Sequence, residues 1–330
     1  MKGSLVSIIV PVYNAAETLS LMLGALAQQT YKGLELIFVN DCCRDNSLAV
    51  LEEAKAGFEQ QGMQVKICSH TVNQGVAAAR NTGLDQATGD YIYYVDADDW
   101  LEPEAIEQLL SEALRTDADI VGCDWYLGFA QKERLMRQPS YASPAEALSL
   151  LFDGKLRWNL WVFMVKRSLY EEQGFRFIPD MNMGEDMMLM FKLFATAKKV
   201  LHLPRALYHY GQGNEGSLTK TYSKKHMQEV TANMEEIARF LKTTKYRDML
   251  DRKQALLKLT IKLPLLISGE SSRYKEWLTW FSESNVHSWD NKVQPWRIRC
   301  VQLAAWKRQF WLVKLHYYGL IRLVYGLIYR

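Results

Sequence analysis

The chain has 330 residues, 48% of them apolar and 23% charged, with a formal net charge of +3. That is the composition of an ordinary globular protein able to bury a substantial core, and the length suggests two domains or one domain with a long appendage. The five cysteines are odd in number and contain no C-x-x-C pair, which speaks against a disulfide frame or a zinc ribbon and for a reducing compartment.

The small net charge hides an asymmetry. Residues 1–120 carry 7 Lys/Arg against 18 Asp/Glu, giving −11, and the remainder carries 33 against 19, giving +14. A basic C-terminal part points to nucleic acid or an anionic membrane surface, and the residues interleaved with the charge must decide between them. The apolar residues near the N-terminus number only about nine, end at Pro11 and lack a cleavage pattern, so they read as a strand and not as a signal peptide.

In chain order, residues 5–12 (LVSIIVPV) predict a buried strand, and Asn14 followed by Glu17 opens an amphipathic helix to about Gln29. Leu34 to Val39 predicts a second strand ending in Asn40-Asp41, with Asp45 able to cap a helix to about Gln61. Val65 to Cys68 is a third short strand, followed by Asn73-Gln74-Gly75 and an alanine-rich helix over 76–87. The fourth strand begins at Tyr91 and runs into Asp96, Asp98 and Asp99, three carboxylates in four positions. Like charges so close repel unless a cation or hydrogen-bond donors compensate them. The stretch therefore reads either as a divalent-metal site or as a turn in which Asp98 or Asp99 caps the helix from Pro103. Asp119 to Trp125 is a fifth apolar segment.

Strands alternating with helices of 10–15 residues predict an α/β fold, a mainly parallel doubly wound sheet with ligands gathered at the carboxyl ends of its strands. No G-x-G-x-x-G follows the first strand, so the dinucleotide fingerprint is absent. Farther on, Gly184-Glu185-Asp186 opens a helix whose dipole would keep both carboxylates ionised, as ordinary capping or as an acid/base pair. Val200 to Tyr210 reads as a short strand pair, and from Ser223 the chain reads as helical. Residues 296–330 contain seven Lys/Arg and no acid. There Lys314, Tyr318, Arg322, Tyr325 and Tyr329 share one helical face, and Leu312, Leu320, Leu323, Val324 and Leu327 the other. Such a helix either lies in the headgroup region of an anionic membrane or packs its apolar side on the protein's own core. A continuous Leu/Val face makes nucleic acid a poor partner, and Lys314 and Arg322, at about 2.5–3.5 kcal/mol each in a bilayer centre, argue against a spanning helix.

Together, VSIIVPVYNAAETL (6–19), VNDCCRDNS (39–47), NQGVAAARNTG (73–83), YYVDADDW (93–100) and GEDMML (184–189) resemble the family 2 glycosyltransferases of the A-type (GT-A) nucleotide-sugar fold. The resemblance implies an inverting enzyme that moves a sugar from a nucleoside diphosphate sugar, UDP-linked, to a hydroxyl of a saccharide or lipid-linked acceptor in cell-surface polysaccharide synthesis. It implies that Pro11, Tyr13 and Glu17 line the nucleotide pocket, that Asp41 accepts a hydrogen bond from the base, and that Arg80 lies beside the diphosphate. Asp96 would face the ribose and Asp98 a divalent metal, Mn²⁺ or Mg²⁺. Asp186 matches the general base, with Glu185 in reserve. The domains so implied are a catalytic domain over 1–220, with a nucleotide half 1–125 and an acceptor half 126–220, and a helical region over 221–330. The expected location is cytoplasmic, peripheral on the inner face of the membrane through 296–330. Three details depart from the pattern: Cys42 stands in a turn often served by glycine; Tyr208-His209-Tyr210-Gly211 lacks the arginine common after the aromatic, leaving His209 as either a phosphate-side or a packed residue; and the C-terminal region carries no motif of the family. The competing readings are a sugar nucleotidyltransferase, which would want a glycine-rich basic loop after the first strand, and a non-catalytic nucleotide-sugar or membrane-binding module.

Overall fold

A computed structural model describes residues 3–129, 132–211 and 223–325. The alternation read from the sequence becomes β1 (Val6–Val12), α1 (Ala16–Ala27), β2 (Leu34–Asn40), α2 (Ser47–Gln60), β3 (Gln64–Ser69), α3 (Val76–Gln86) and β4 (Tyr91–Tyr94). Then follow β5 (Trp100–Leu101), α4 (Ala105–Thr116), β6 (Ile120–Phe129), β7 (Lys132–Met136), α5 (Pro144–Phe152), β8 (Phe163–Lys166), α6 (Arg167–Gln173), α7 (Glu185–Thr196), β9 (Val200–Gly211) and α8 (Lys224–Leu241).

The strands form one sheet in the order β3-β2-β1-β4-β8-β6-β9-β5, with β7 on β6. β1 to β4 pair in parallel, as crossover helices require. β8 then runs antiparallel to both β4 and β6, so the second half of the sheet is mixed. The whole of β2 and nearly all of β1 are buried, including Ile8, Ile9, Phe38 and Val39. Each such side chain stabilises the fold by about 1.5–3 kcal/mol relative to exposure. On α1, Leu19, Met22, Leu23 and Leu26 recur at helical spacing and are buried. Register pairs Val12 with Asn40 and Ile9 with Tyr94, so β1, β2 and β4 end at the same edge.

One expectation is corrected. Val200 to Tyr210 is not a strand pair but part of a single strand, β9. Pro204 can donate no ladder hydrogen bond, and the register of β9 against β6 shifts around Asp124, which absorbs the interruption.

The chain divides into two compact units, Met1–Leu148 with Leu156–Leu241, and Ser149–Lys155 with Lys242–Arg330. The boundary expected near residue 220 lies outside the described residues. The second unit is helical, with α9 (Leu250–Ile261), α10 (Ser271–Thr279), α11 (Trp296–Trp306), α12 (Phe310–His316) and a wider π-type turn over Tyr317–Tyr325. Its core holds Leu257, Leu265, Tyr274 and Trp277. Lys262 is also buried there, donating to the Trp280 and Phe281 carbonyls and to Asn285, with its ammonium 4.3 Å from the Trp277 ring centroid. Burial lowers its pKa to about 7. Among the described residues no helix is long and apolar enough to cross a membrane.

Candidate active site

The turn after β2 is built from its own residues. Asn40 Oδ1 accepts the Cys43 N–H at 3.0 Å, and Cys42 takes the left-handed conformation (φ +59°) that glycine often supplies in such turns. The Cys43 thiol donates to the Val12 carbonyl and accepts the Asn14 N–H, tying the ends of β1 and β2 together. The N-cap of α2 is Asn46 and not Asp45; Asp45, one residue earlier, accepts from the Ser47 N–H at the start of α2 and from the Ala16 N–H at the start of α1. Pro11 is half-buried, and Tyr13 and Glu17 are exposed beside this turn.

Asp41 is buried, and its carboxylate organises the 73–75 loop. Oδ1 accepts the Gln74 N–H at 2.8 Å and meets His70 Nδ1 at 2.7 Å, while Oδ2 accepts the Gly75 N–H at 2.7 Å. Gly75 has φ +84°, and a β-carbon there would lie 2.4 Å from Asn182 Nδ2. The Asn182 side-chain Oδ1 in turn accepts the Ala77 N–H, capping α3 from a segment 105 residues away in sequence.

Arg80, on α3, is buried. Its Nη1 donates to Glu185 Oε1 and its Nη2 to Asp96 Oδ1 at 3.3 Å, and the guanidinium lies about 6 Å from the Tyr94 and Phe177 ring centroids. Burial alone would lower its pKa, but Glu185, Asp96 and Asp186 outweigh that, so it stays charged. One cation thus joins the end of β4 to the start of α7.

At the end of β4, Asp96 and Asp98 are partly exposed and Asp99 is fully buried. Asp99 does not cap α4. Its Oδ2 accepts from Tyr208 Oη at 2.6 Å and its Oδ1 from the Gly211 N–H at 2.8 Å, and Tyr208 Oη itself accepts the Asp96 N–H at 3.1 Å. Thr18 on α1 donates to the Ala97 carbonyl, fixing the same turn from the other side. Burial, then the charges of Asp96 and Asp98, push Asp99 well above the usual carboxylate range. Asp96 is also raised, by burial and by Asp98 against the opposing pull of Arg80. Asp96 and Asp98, with Ala97 between them, offer two carboxylates of the hard-oxygen type that a divalent cation takes; among the described residues no group of three or more His, Cys, Asp and Glu is placed to hold a metal ion. Such a cation takes its other ligands from water and phosphate oxygens.

Gly184 adopts φ +81° and Glu185-Asp186 occupy the first turn of α7. The dipole of α7 does not act alone on these two carboxylates: Glu185 is paired with Arg80, and Asp186 lies partly exposed beside it. Burial and the adjacent Glu185 carboxylate push Asp186 up to about 8, against Arg80 and the Met187 N–H, which pull it down, and burial likewise raises Glu185 against Arg80. Desolvation here outweighs the helix terminus.

His209 is a packed residue. It stacks between Trp100 and Tyr126, at 5.1 and 4.7 Å, and its nitrogens meet Glu133 at 2.7 Å and Glu102 at 3.1 Å. Sequence reading missed Tyr208, Asn182 and His70, and gave Asp99 only a place in the metal-or-cap run. For Asp99 the third carboxylate of the run was a signal; the others have none within the chain's local pattern.

Asp41, Asp96 and Asp98 stand at the carboxyl edge of the parallel half of the sheet, the edge where α/β folds gather ligands. The model of glycosyl transferase family 2 matches residues 7–186, and the chain belongs to that family. It is 31% identical to the uncharacterized glycosyltransferase EpsJ of Bacillus subtilis over 68% of this chain and 66% of EpsJ. With the putative glycosyltransferase EpsH of the same organism it shares 32% identity over 76% of this chain and 74% of EpsH. The chain thus spans about two thirds to three quarters of these relatives. In fold it is similar to Staphylococcus aureus TarS 1–349 (TM-score 0.69, 17% identity, 96% of this chain and 91% of that one), which has also been solved with UDP-GlcNAc. It is also similar to the mannosyltransferase PcManGT of Pyrobaculum calidifontis in complex with GDP-Man and Mn²⁺ (TM-score 0.57, 17% identity, 95% and 84%).

Proposed function

We propose that this protein is an inverting glycosyltransferase that moves a sugar from a UDP-linked donor to a hydroxyl of a saccharide or lipid-linked acceptor in cell-surface polysaccharide synthesis, at the cytoplasmic face of the membrane. The observation that carries the reading is the Arg80 bridge, which ties the Asp96 turn to the helix bearing Asp186. In this reading Pro11, Tyr13, Glu17 and Asp41 surround the nucleotide, Asp96 faces the ribose, and Asp98 holds Mn²⁺ or Mg²⁺. The cation, when bound, offsets the charge that develops on the departing diphosphate.

Asp186 accepts the acceptor's hydroxyl proton as the oxygen attacks the anomeric carbon from the face opposite the diphosphate, so configuration inverts. A pKa near 8 makes it a stronger base than an ordinary carboxylate once it is ionised. Glu185, committed to Arg80, holds the turn. The donor class follows the UDP-GlcNAc complex of TarS and the metal the Mn²⁺ complex of PcManGT, by likeness of fold.

The test is thermal stabilisation by UDP, GDP, CMP and ATP, each with and without Mn²⁺, for the native protein and Asp98→Ala. A metal-dependent shift with UDP, lost in Asp98→Ala, supports the reading. A larger shift with GDP would reassign the donor, and no shift with any nucleotide would overturn it.

A further inference from the structure

Helix α12 and the π-type turn that continues it carry their apolar side chains outward. Val313 is fully buried, but Trp311 and Leu315 are each 63% exposed, Tyr318 47% and Leu312 38%. Trp311, Leu315, Tyr318 and Arg322 follow steps of four, three and four, so they occupy one helical face. Lys307, Arg308, Lys314 and Arg322 are exposed on the same short stretch. The Lys307 ammonium lies 4.7 Å from the Trp306 ring centroid and the Arg322 guanidinium 6.0 Å from that of Tyr318. From residue 291 to 325 there is no Asp or Glu. The sequence pattern assigned Leu312 to a face apart from Lys314 and Tyr318. All three are exposed, so the outward surface is apolar and cationic together.

We propose that residues 307–322 dock on an anionic phospholipid surface, with Trp311, Leu312 and Leu315 entering the headgroup boundary, Tyr318 at its level, and Lys307, Arg308, Lys314 and Arg322 on lipid phosphates. Three arguments select this occupant. An exposed apolar face that carries cations and, along 291–325, no acid is complementary to anionic headgroups over an acyl layer, with Glu270, next to the Gly269 that Tyr318 abuts, the exposed acid of the neighbouring turn. A second copy of the same face would set cation against cation, as a two-fold interface requires. A nucleic acid would gain nothing from Leu312 and Leu315, which cannot stack on bases. The proposal deepens the reading above, giving a membrane-borne acceptor a surface on this chain, and rests on it only for that purpose.

The experiment is co-sedimentation of the full chain with vesicles of phosphatidylethanolamine and phosphatidylglycerol, against vesicles of phosphatidylcholine alone. It compares the native protein with Trp311→Ser/Leu315→Ser and with Lys307→Glu/Lys314→Glu, while UDP with Mn²⁺ thermal shifts on the same samples report the nucleotide site. The expected result is binding to the anionic vesicles only, weakened about tenfold or more in each double variant, with the native melting temperature and nucleotide response kept. Absence of native binding, equal binding to phosphatidylcholine, or variants that bind like the native protein would overturn the proposal and leave the transferase reading intact. So would a dimer in solution that the Trp311→Ser/Leu315→Ser change dissociates while no vesicle is bound. Lost nucleotide response with intact vesicle binding would sink only the transferase reading.

Discussion

Arg80 and Glu185, 105 residues apart in sequence, form a buried ion pair in which Nη1 donates to Oε1, with both side chains 8% exposed. A buried pair is costly to break from one side, because the remaining charge keeps its desolvation and loses its partner. Arg80→Ala is expected to destabilise the protein by about 3–5 kcal/mol at pH 7 by urea unfolding. Arg80→Ala/Glu185→Leu should recover more than 1 kcal/mol of that. Equal stability of the single and double variants would mean that the pair carries no energy.

For Asp186 the two pH dependences have opposite senses. As a base it must be ionised, so kcat/KM of the free enzyme should climb with pH on a limb whose midpoint lies nearer 8 than 4. As a folded-state group with a raised pKa, its contribution to stability is fully present below its unfolded value near 4 and is lost as pH rises through about 8. Asp186→Asn should therefore lose activity by about a hundredfold or more, yet gain stability over the native protein by about 1 kcal/mol at pH 8 and little at pH 4. A variant less stable than the native protein at pH 8 would contradict the assignment.

Glu35 has the reverse sign. It is fully buried on β2, and although burial raises its pKa, hydrogen bonds from Lys66 (2.7 Å), Ser7 and Thr88 (2.8 Å from both N–H and Oγ1) more than offset that and lower it. Its contribution is present above the unfolded pKa near 4.3 and is lost as pH falls through the lower folded value. Glu35→Gln should cost about 2–3 kcal/mol at pH 7, and the gap should narrow below pH 4. Guanidinium titrations at the two pH values would show a constant gap if the carboxylate charge were irrelevant.

Gly75 meets two constraints at once, a left-handed backbone and the Asn182 amide in the place of a side chain. Gly75→Ala should cost about 2–4 kcal/mol and weaken nucleotide binding, since Gly75 N–H is one of the donors that hold Asp41. Adding Asn182→Ala removes the clash but also the α3 cap, so the double variant should recover only part of the loss in a thermal melt. Full recovery would mean that the backbone conformation and the cap cost nothing.

Much of the architecture was legible because β1, β2 and β4 are short buried runs bounded by turn residues, and each crossover helix fits between two of them. The same local logic places Asp41, Asp96 and Asp98 just past the ends of buried strands, which is where they stand. It failed where energy comes from long-range partners. Nothing near Tyr208 announces Asp99, and nothing near Asn182 announces Gly75. The raised pKa of Asp186 was not legible for the same reason: a helix terminus is a local property, whereas the desolvation that works against it is set by the whole fold. Pro204 misled because a break in pattern looks like the end of a strand until β6 supplies a partner that can shift register around it.

The Arg80 bridge also bears on when the site acquires its alignment. A guanidinium shut between two carboxylates from distant segments is set in place as the chain folds, before any sugar nucleotide arrives. On the reading proposed above, the distance between the donor side and the base side is therefore a property of the folded apoprotein, and substrate binding does not have to create it. On that reading alignment and conformational stability draw on the same buried bridge, so a lineage that loosens one loosens the other.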